Sequence, residues 1–282
     1  MPREIDADRV AAIMAEVAAE AILPRFGKLA KGDIRPKGER GDFATVAVLE
    51  AERLLTRRLS ELLPGSLVVG EEASDARPEL LAAIAGAAPV WVIDPLDGTH
   101  NFAQGIAHFA VIVALASLGE TRAAWIHDPN AGRTLWAERG GGAWEEGRRL
   151  RAAPAVPLGE MRGAIFTKAG RPGVSPRLEE ARSRFAATIN RRSAGHVYLE
   201  LARAECHFAL FSRLFPWDHA AGVLIHKEAG GYGACWDKTP YRPTLLKGGL
   251  LLAPDEGSWQ ALAALLLAPP ADAAPLAMPP ST

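Results

Sequence analysis

The run Val90-Trp91-Val92-Ile93-Asp94-Pro95-Leu96-Asp97-Gly98-Thr99 constrains this chain more than any other stretch. Four apolar residues ending at an aspartate read as a buried strand that delivers a carboxylate to its C-terminal end, where open α/β sheets place their ligands. Pro95 is expected to stop the strand. Pro95 and Gly98 then punctuate a tight turn across which Asp94 and Asp97 converge, with the Leu96 carbonyl pointing the same way. Two carboxylates and a carbonyl are hard oxygen donors, suited to Mg²⁺, Mn²⁺ or Ca²⁺ rather than zinc. The amides of Gly98 and Thr99 can hold a phosphate oxygen if a helix begins there. Taken alone, an Asp-x-x-Asp is more simply a turn with Asp97 as an ordinary helix cap.

Two further stretches change that balance. Gly70-Glu71-Glu72 follows the short apolar run Leu67-Val68-Val69, so a second strand also ends in carboxylates. Far downstream, Phe215-Pro216-Trp217-Asp218 opens a helix that reads to Ala229 and stops at Gly230-Gly231. With Asn101-Phe102 after the first motif and His219-Ala220-Ala221-Gly222 after the third, these segments resemble the inositol monophosphatase family of metal-dependent, lithium-sensitive phosphatases, in order and spacing, from about Lys37 to Leu266.

That resemblance implies an α/β fold of a specific kind, the five-layered αβαβα sandwich shared with fructose-1,6-bisphosphatase-like enzymes, usually as a homodimer. It also implies two or three Mg²⁺ ions, with Mn²⁺ as a substitute. Carried over motif by motif, Glu71, Asp94 and the Leu96 carbonyl hold the first metal, and Asp94, Asp97 and Asp218 the second. Glu72 assists a weaker third ion. Gly98 and Thr99 donate amides to the substrate phosphate, and the Thr99 hydroxyl orients the attacking water. The reaction implied is hydrolysis of a phosphate monoester of a small metabolite.

Two departures from the family pattern bear on that reading. Asp42-Phe43-Ala44-Thr45 is followed by Val46-Ala47-Val48, so valine stands where the family carries an aspartate thought of as facing the cleft. Leu210-Phe211-Ser212-Arg213 lacks the acid that inositol-handling members use to accept hydrogen bonds from sugar hydroxyls. The substrate is therefore open among inositol, histidinol, sugar and nucleotide phosphates. The alternative to an active enzyme is a weakened relative that binds a phosphorylated ligand or serves as a structural or regulatory subunit. A calcium-stabilised structural module fits less well, because the carboxylates come from distant segments and not from one loop.

Composition excludes other classes. The 282 residues are 49% hydrophobic, enough to bury a large core as one domain or two closely packed halves, and the net charge is −1 with both signs interspersed. Nothing in that balance suggests a nucleic-acid or membrane surface. Two cysteines, Cys206 and Cys235, make neither a disulfide framework nor a metal site and read as small buried hydrophobes. The seven histidines never fall into metal-ligand spacing, and there is no Gly-x-Ser-x-Gly elbow. The N-terminal residues show no apolar signal core, so a cytoplasmic location is expected.

Along the chain, Asp6 is a plausible cap for a helix through Ile22, and a second amphipathic helix is expected from Thr45 to Leu63. Between them, Lys28 to Asp42 reads as a loop or short hairpin, mobile and close to substrate. Phe109–Leu118, Arg122–His127 and Thr134–Glu138 read as an antiparallel meander, and Gly140-Gly141-Gly142 as a glycine turn between strands. The seam between halves is expected at Ala152 to Glu160. This gives an N-terminal α+β half (1–151) carrying most metal ligands and a C-terminal α/β half (152–267) contributing Asp218. A Pro/Ala-rich tail (268–282) is expected to be disordered.

Overall fold

The computed structural model describes residues 5–29, 34–37, 42–166 and 175–267. Helix α1 (Ala7–Val17) begins where the Asp6 carboxylate accepts from the amides of Asp8 and Arg9. It continues through a π-type turn (Ala18–Ile22) and a 3₁₀ turn at Pro24. A hairpin of β1 (Ile34–Lys37) and β2 (Asp42–Thr45) leads into α2 (Val46–Leu62), whose first turn is capped by the Thr45 hydroxyl.

The first large sheet is built from β3 (Leu67–Gly70), then, after α3 (Glu71–Ala76) and a 3₁₀ segment (Pro78–Ala85), β4 (Val90–Asp97). Beyond α4 (Thr99–Ala103) it runs through β5 (Ala110–Ser117), β6 (Glu120–Asp128), β7 (Arg133–Glu138), β8 (Gly142–Glu145) and β9 (Arg148–Arg149). These seven strands lie in sequence order, with only the β3–β4 pair parallel. The second sheet takes β10 (Arg162–Phe166), β11 (Ala187–Ile189), β12 (Phe208–Phe211), β13 (Tyr232–Cys235) and β14 (Leu250–Ala253), in the order β11-β10-β12-β14-β13. Helices α5 (Ser175–Arg182), α6 (Ala194–Ala202), α7 (Pro216–Glu228) and α8 (Glu256–Leu266) complete the fold.

Alternation of side chains along the strands sets the layers, because successive residues face opposite sides. On one face of the seven-stranded sheet, Trp91, Ile93, Val111, Val113 and Trp125 pack against the buried stripes of α1 and α2. On the other face, Val90, Val92, Ile112, Ala114 and Ile126 meet α6 and α7, which also cover Ala209, Phe211, Leu250 and Leu252 of the second sheet. The far side of that sheet, with Ile165, Phe208, Leu210 and Leu251, is closed by Leu178 and Ala181 of α5 and Trp259 and Leu262 of α8. Helix, sheet, helix, sheet, helix is the expected αβαβα order. One apolar cluster spans both halves, so neither half owns the middle layer.

Some sequence expectations need correction. Pro95 does not end its strand: β4 runs to Asp97, and its pairing with β5 slips between Asp94 and Asp97. A bulge absorbs the proline, whose missing N–H would otherwise leave a gap in the ladder. The two aspartates therefore stand on the kinked end of a strand and not across a turn. Short elements were not anticipated: Glu71 opens a helix, and Pro78–Ala85 and β11 lacked a periodic pattern long enough to read. The glycine turn at 140–142 does separate two strands, and its amides at Gly140 and Gly142 are held by the Glu228 carboxylate at 2.8 and 3.0 Å. The 28–42 segment includes the expected hairpin. Its turn and the 268–282 tail lie outside the described residues.

Candidate functional site

Three of the predicted carboxylates converge. Asp94 and Asp97 from β4 and Asp218 from the first turn of α7 each offer an oxygen, and these lie within 4.8 Å of one another. Asp94 is 2% exposed and Asp97 8%. Burial raises the Asp94 carboxyl well above the usual carboxylate range, and the charges of Glu71, Asp97 and Asp218 push it further. The Leu96 amide, 3.0 Å from Asp94 Oδ1, opposes that rise. Glu71 thus stands close enough to act on Asp94, although it is outside the mutual cluster of three among the described residues. Nothing in this group is a histidine or cysteine. A buried, all-oxygen, multiply negative cluster is a fit for a hard divalent cation, whose charge would relieve the repulsion that lifts Asp94.

Asp97 has a second task. Its carboxylate accepts from Ser193 Oγ at 2.5 Å and from the amides of Ala194 and Gly195 at 3.1 and 2.7 Å. It thus satisfies the otherwise orphaned N–H groups at the start of α6 from across the fold, which lowers its pKa against the larger raising effect of burial. Gly195 is required there, since a β-carbon would meet Ala110 Cβ at 2.7 Å and Asp97 Oδ2 at 3.0 Å.

Gly98 and Thr99, read from the sequence as a phosphate cradle, stand at the entry to α4. Gly98 adopts φ +85°, and a β-carbon on it would lie 2.7 Å from the His108 carbonyl oxygen. The Thr99 hydroxyl donates to the Leu96 carbonyl at 2.9 Å. With its proton so committed, the Thr99 oxygen presents lone pairs to the cleft and can accept a hydrogen bond from a water. The Leu96 carbonyl keeps a second lone pair for another partner.

Glu52 was missed by sequence reading. From α2, its carboxylate accepts from the amides of Glu72 and Ala73, both at 2.8 Å, and so caps α3 and fixes the backbone that carries Glu71. Gly70 is tied to this arrangement, because a β-carbon there would run into the same carboxylate. The only available signal was a lone acid on the inner face of an amphipathic helix, a pattern that usually means a misjudged face. Ser193, Ala194 and Gly195 were likewise missed, since their link to Asp97 joins residues almost a hundred positions apart. Glu72 gives its amide to Glu52, while its carboxylate is not part of the three-aspartate cluster.

Behind Asp218, His219 Nε2 lies 2.9 Å from the Arg213 carbonyl, which requires the proton on that nitrogen. Nδ1 therefore accepts from the Tyr198 hydroxyl, also at 2.9 Å. Burial drives His219 down to about 4, so it is a neutral strut for the start of α7. Val48 is 1% exposed and belongs to the apolar cluster with Leu96, Phe102 and Phe109, so its valine fills core. Cys206 and Cys235 are buried free thiols, as expected. Among the described residues no helix is long and apolar enough to cross a membrane.

Comparison with known proteins bears on this geometry. Residues 5–269 match the Inositol monophosphatase family. An Inositol-1-monophosphatase of Caulobacter vibrioides is 33% identical over 250 residues, covering 86% of this chain and 93% of that protein. A protein of Pseudomonas aeruginosa named Nus factor SuhB is 34% identical over 223 residues, covering 77% and 80% respectively. Among solved structures, an IMPase of Thermotoga maritima superposes with a TM-score of 0.77 at 23% identity, over 91% of this chain and 94% of its own.

Proposed function

The chain belongs to the inositol monophosphatase family of phosphoric monoester hydrolases, and from that premise we propose that it performs Mg²⁺-dependent hydrolysis of a small phosphorylated metabolite by an activated water. The convergence of Asp94, Asp97 and Asp218 carries this reading. Glu71, Asp94 and the Leu96 carbonyl would hold one ion, and Asp94, Asp97 and Asp218 a second. Glu72 remains the candidate for a weaker third. Divalent ions at such a site supply Lewis acidity and a bound water of lowered pKa. They also offset the phosphate's own charge.

The chain's own groups complete the chemistry. The amides of Gly98 and Thr99 sit at a helix start, where the phosphate oxygens find donors and a favourable dipole. Thr99, its proton given to Leu96, accepts from the incoming water and aligns a lone pair with phosphorus. Asp97 and Ser193 anchor the start of α6 beside the carboxylate cluster. A homodimer and a cytoplasmic setting accompany this proposal through the family relationship alone.

A phosphate-release assay across a panel of metabolite monoesters, with Mg²⁺ and with chelator, tests the proposal. Mg²⁺-dependent release from at least one ester is expected. No release from any ester, by protein whose fold is verified, refutes it. Val48 motivates a second reading, a family member that binds phosphorylated ligands without efficient turnover. Phosphate-ester binding without hydrolysis in the same panel would select it.

A further inference from the structure

A second cavity is lined by none of the clustered aspartates. Its volume is about 150 Å³, and it lies between the start of β6, the flank of α7, the 240–243 loop and Arg139 at the end of β7. Asp97 pairs with Ala110 at the start of β5, whereas the cavity borders Gly119 and Glu120, beyond the other end of that strand. An eight-residue strand, roughly 25 Å long, lies between those two places. Helix α7 serves both: Asp218 is in its first turn, while Val223, Leu224 and Lys227 line the cavity.

The charges around this cavity do not balance. Arg139, Lys227 and Arg242 line it with a single carboxylate, that of Glu120. Glu120 is already shared, with Arg139 at 2.9 Å, Arg122 at 3.5 Å and Arg242 at 3.9 Å. Lys227 has no ion-pair partner among the described residues. A lysine in the last turn of a helix is favoured by the helix dipole, but that accounts for neither of the arginines brought beside it from other segments. The remaining wall includes Pro240, Pro243 and Tyr241. The Tyr241 hydroxyl is buried without a hydrogen-bond partner among the described residues, and burial, followed by the charge of Asp218, keeps it protonated. A buried donor left unmatched is costly, so this wall is one that an acceptor on a ligand would complete. The loop is held in shape: the Leu245 amide donates to the Arg242 carbonyl at 3.0 Å, and the Thr244 methyl packs over Gly119.

We propose that this cavity is a second ligand site, in which Arg139, Lys227 and Arg242 hold the phosphoryl group of a small organic phosphate while Tyr241 and the two prolines pack against its carbon body. The inference goes beyond the phosphatase reading and does not depend on it, since no residue of the cavity belongs to the carboxylate cluster. Guanidinium groups match phosphate oxygens with paired N–H···O bonds, and the lysine adds a compact charge. A cavity near 150 Å³ has room for about a six-carbon ring, which limits the body to a few carbons. Free phosphate shares the oxyanion chemistry, and the carbon body is what separates the two sources.

The test reads binding to the metal-free protein, where the negative aspartate cluster repels anions and leaves the cavity as the place for them. After the chelator is dialysed away, propylphosphonate and inorganic phosphate are titrated by calorimetry. Propylphosphonate should saturate one site in the millimolar range, at least about threefold more tightly than inorganic phosphate, because its carbons leave water. K227Q and R242Q should each weaken it by about fivefold or more, the order of one charge-assisted contact at a partly exposed site. E120Q should do the opposite and tighten it, since the carboxylate that competes for the arginines is gone. R184Q, at an exposed position beyond the end of α5, measures the effect of net charge alone.

No saturable binding of either anion across the millimolar range overturns the proposal. So does binding that K227Q, R242Q and E120Q change no more than R184Q does. Inorganic phosphate binding as tightly as propylphosphonate overturns the organic ligand. The opposite signs expected of R242Q and E120Q keep the test decisive even if K227Q fails to fold. Phosphate release with Mg²⁺ is followed in parallel: turnover without binding in the metal-free protein would sink this inference and leave the phosphatase reading standing, and binding without turnover would do the reverse.

Discussion

Asp94→Asn separates the electrostatic work of the cluster from its structure. The substitution keeps the side-chain shape and the acceptor that the Leu96 amide uses, and it removes one buried ionisable carboxyl. In the metal-free protein ionising that carboxyl is costly: desolvation and the charges of Glu71, Asp97 and Asp218 all hold its pKa up. A group whose folded pKa is raised stabilises the fold at pH values below its unfolded pKa and loses that contribution as pH rises through the folded pKa, so near neutrality Asp94 destabilises the apo fold. Relief of such a charge is worth about 1–3 kcal/mol, which for a domain of this size is several degrees of melting temperature. Asp94→Asn should therefore melt higher than wild type in chelator. With Mg²⁺ the order reverses. Ligand at about a hundred times its dissociation constant adds roughly 2.7 kcal/mol to the wild type, and the variant, having lost a shared ligand, should gain little. Turnover should fall by at least about tenfold and by several orders of magnitude if two ions are bridged, each factor of ten being about 1.4 kcal/mol. The assays are thermal melts with and without Mg²⁺ and phosphate release. A variant that melts lower than wild type in chelator, or that keeps the Mg²⁺-induced shift, would refute the account of Asp94 as a strained metal ligand.

Three other outcomes follow from the same geometry. Val48→Asp places a carboxylate in an apolar cluster at a position 1% exposed, so it should cost at least about 2 kcal/mol in a chelator melt; recovery of that loss with Mg²⁺, together with faster turnover, would show instead that the position opens to the cleft. Gly98→Ala should destabilise by about 1–3 kcal/mol through its left-handed backbone and the approach to the His108 carbonyl, and should slow turnover further by moving the cradle, while a neutral melt and rate would overturn the reading of that turn. His127 and His219 are both pushed by burial from the ordinary 6.5 to about 4, so between these values the unfolded chain binds protons that the native state refuses, and stability should fall as pH drops from 6.5 towards 4 by up to about 3 kcal/mol for each. That decline is best measured by denaturant unfolding in the Asp94→Asn background, where the opposing carboxylate titration is reduced, and a flat profile would count against neutral buried histidines.

The parts of the fold legible in the sequence were those with a period or a strong boundary. The stripe of α2, the meander from β5 to β7 and the Pro216 start of α7 each combine a hydrophobic repeat with a residue that can only begin or end an element. The strand carrying Asp94 was legible as a strand, but its end was not. Pro95 is a reliable stop for an isolated strand and a weak one where a bulge and a neighbouring strand can take up the slip. Short elements such as α3 and β11 carry too few residues to show a period. Of the site, the acids were visible because carboxylates after apolar runs are conspicuous, whereas Glu52 and Ser193 were not. Their roles exist only once residues 20 and 96 positions apart in sequence are brought into contact.

Those hidden partners explain how so many acids can stand together at all. Glu52 caps α3, Asp97 caps α6, Asp218 lies in the first turn of α7, and Gly98 and Thr99 open α4. Four helices thus turn their amino ends towards one locality. Each end offers unpaired N–H groups and a partial positive charge of roughly half an electron, worth about 0.3–2 kcal/mol to a nearby anion. For Asp97 the balance is visible, with burial raising its pKa and the α6 amides and Ser193 lowering it. For Asp94 the Leu96 amide is the one lowering contact among the described residues, and burial with the charges of Glu71, Asp97 and Asp218 holds its pKa well above the ordinary value. The fold therefore supports Asp97 with the amides of a helix start and leaves Asp94 to be neutralised from outside, so the ionisation of Asp94 depends on a bound cation. Proton release on Mg²⁺ binding, read by calorimetry in buffers of different ionisation enthalpy, should accordingly be lost in Asp94→Asn and retained when any of the helix-supported acids is replaced by its amide.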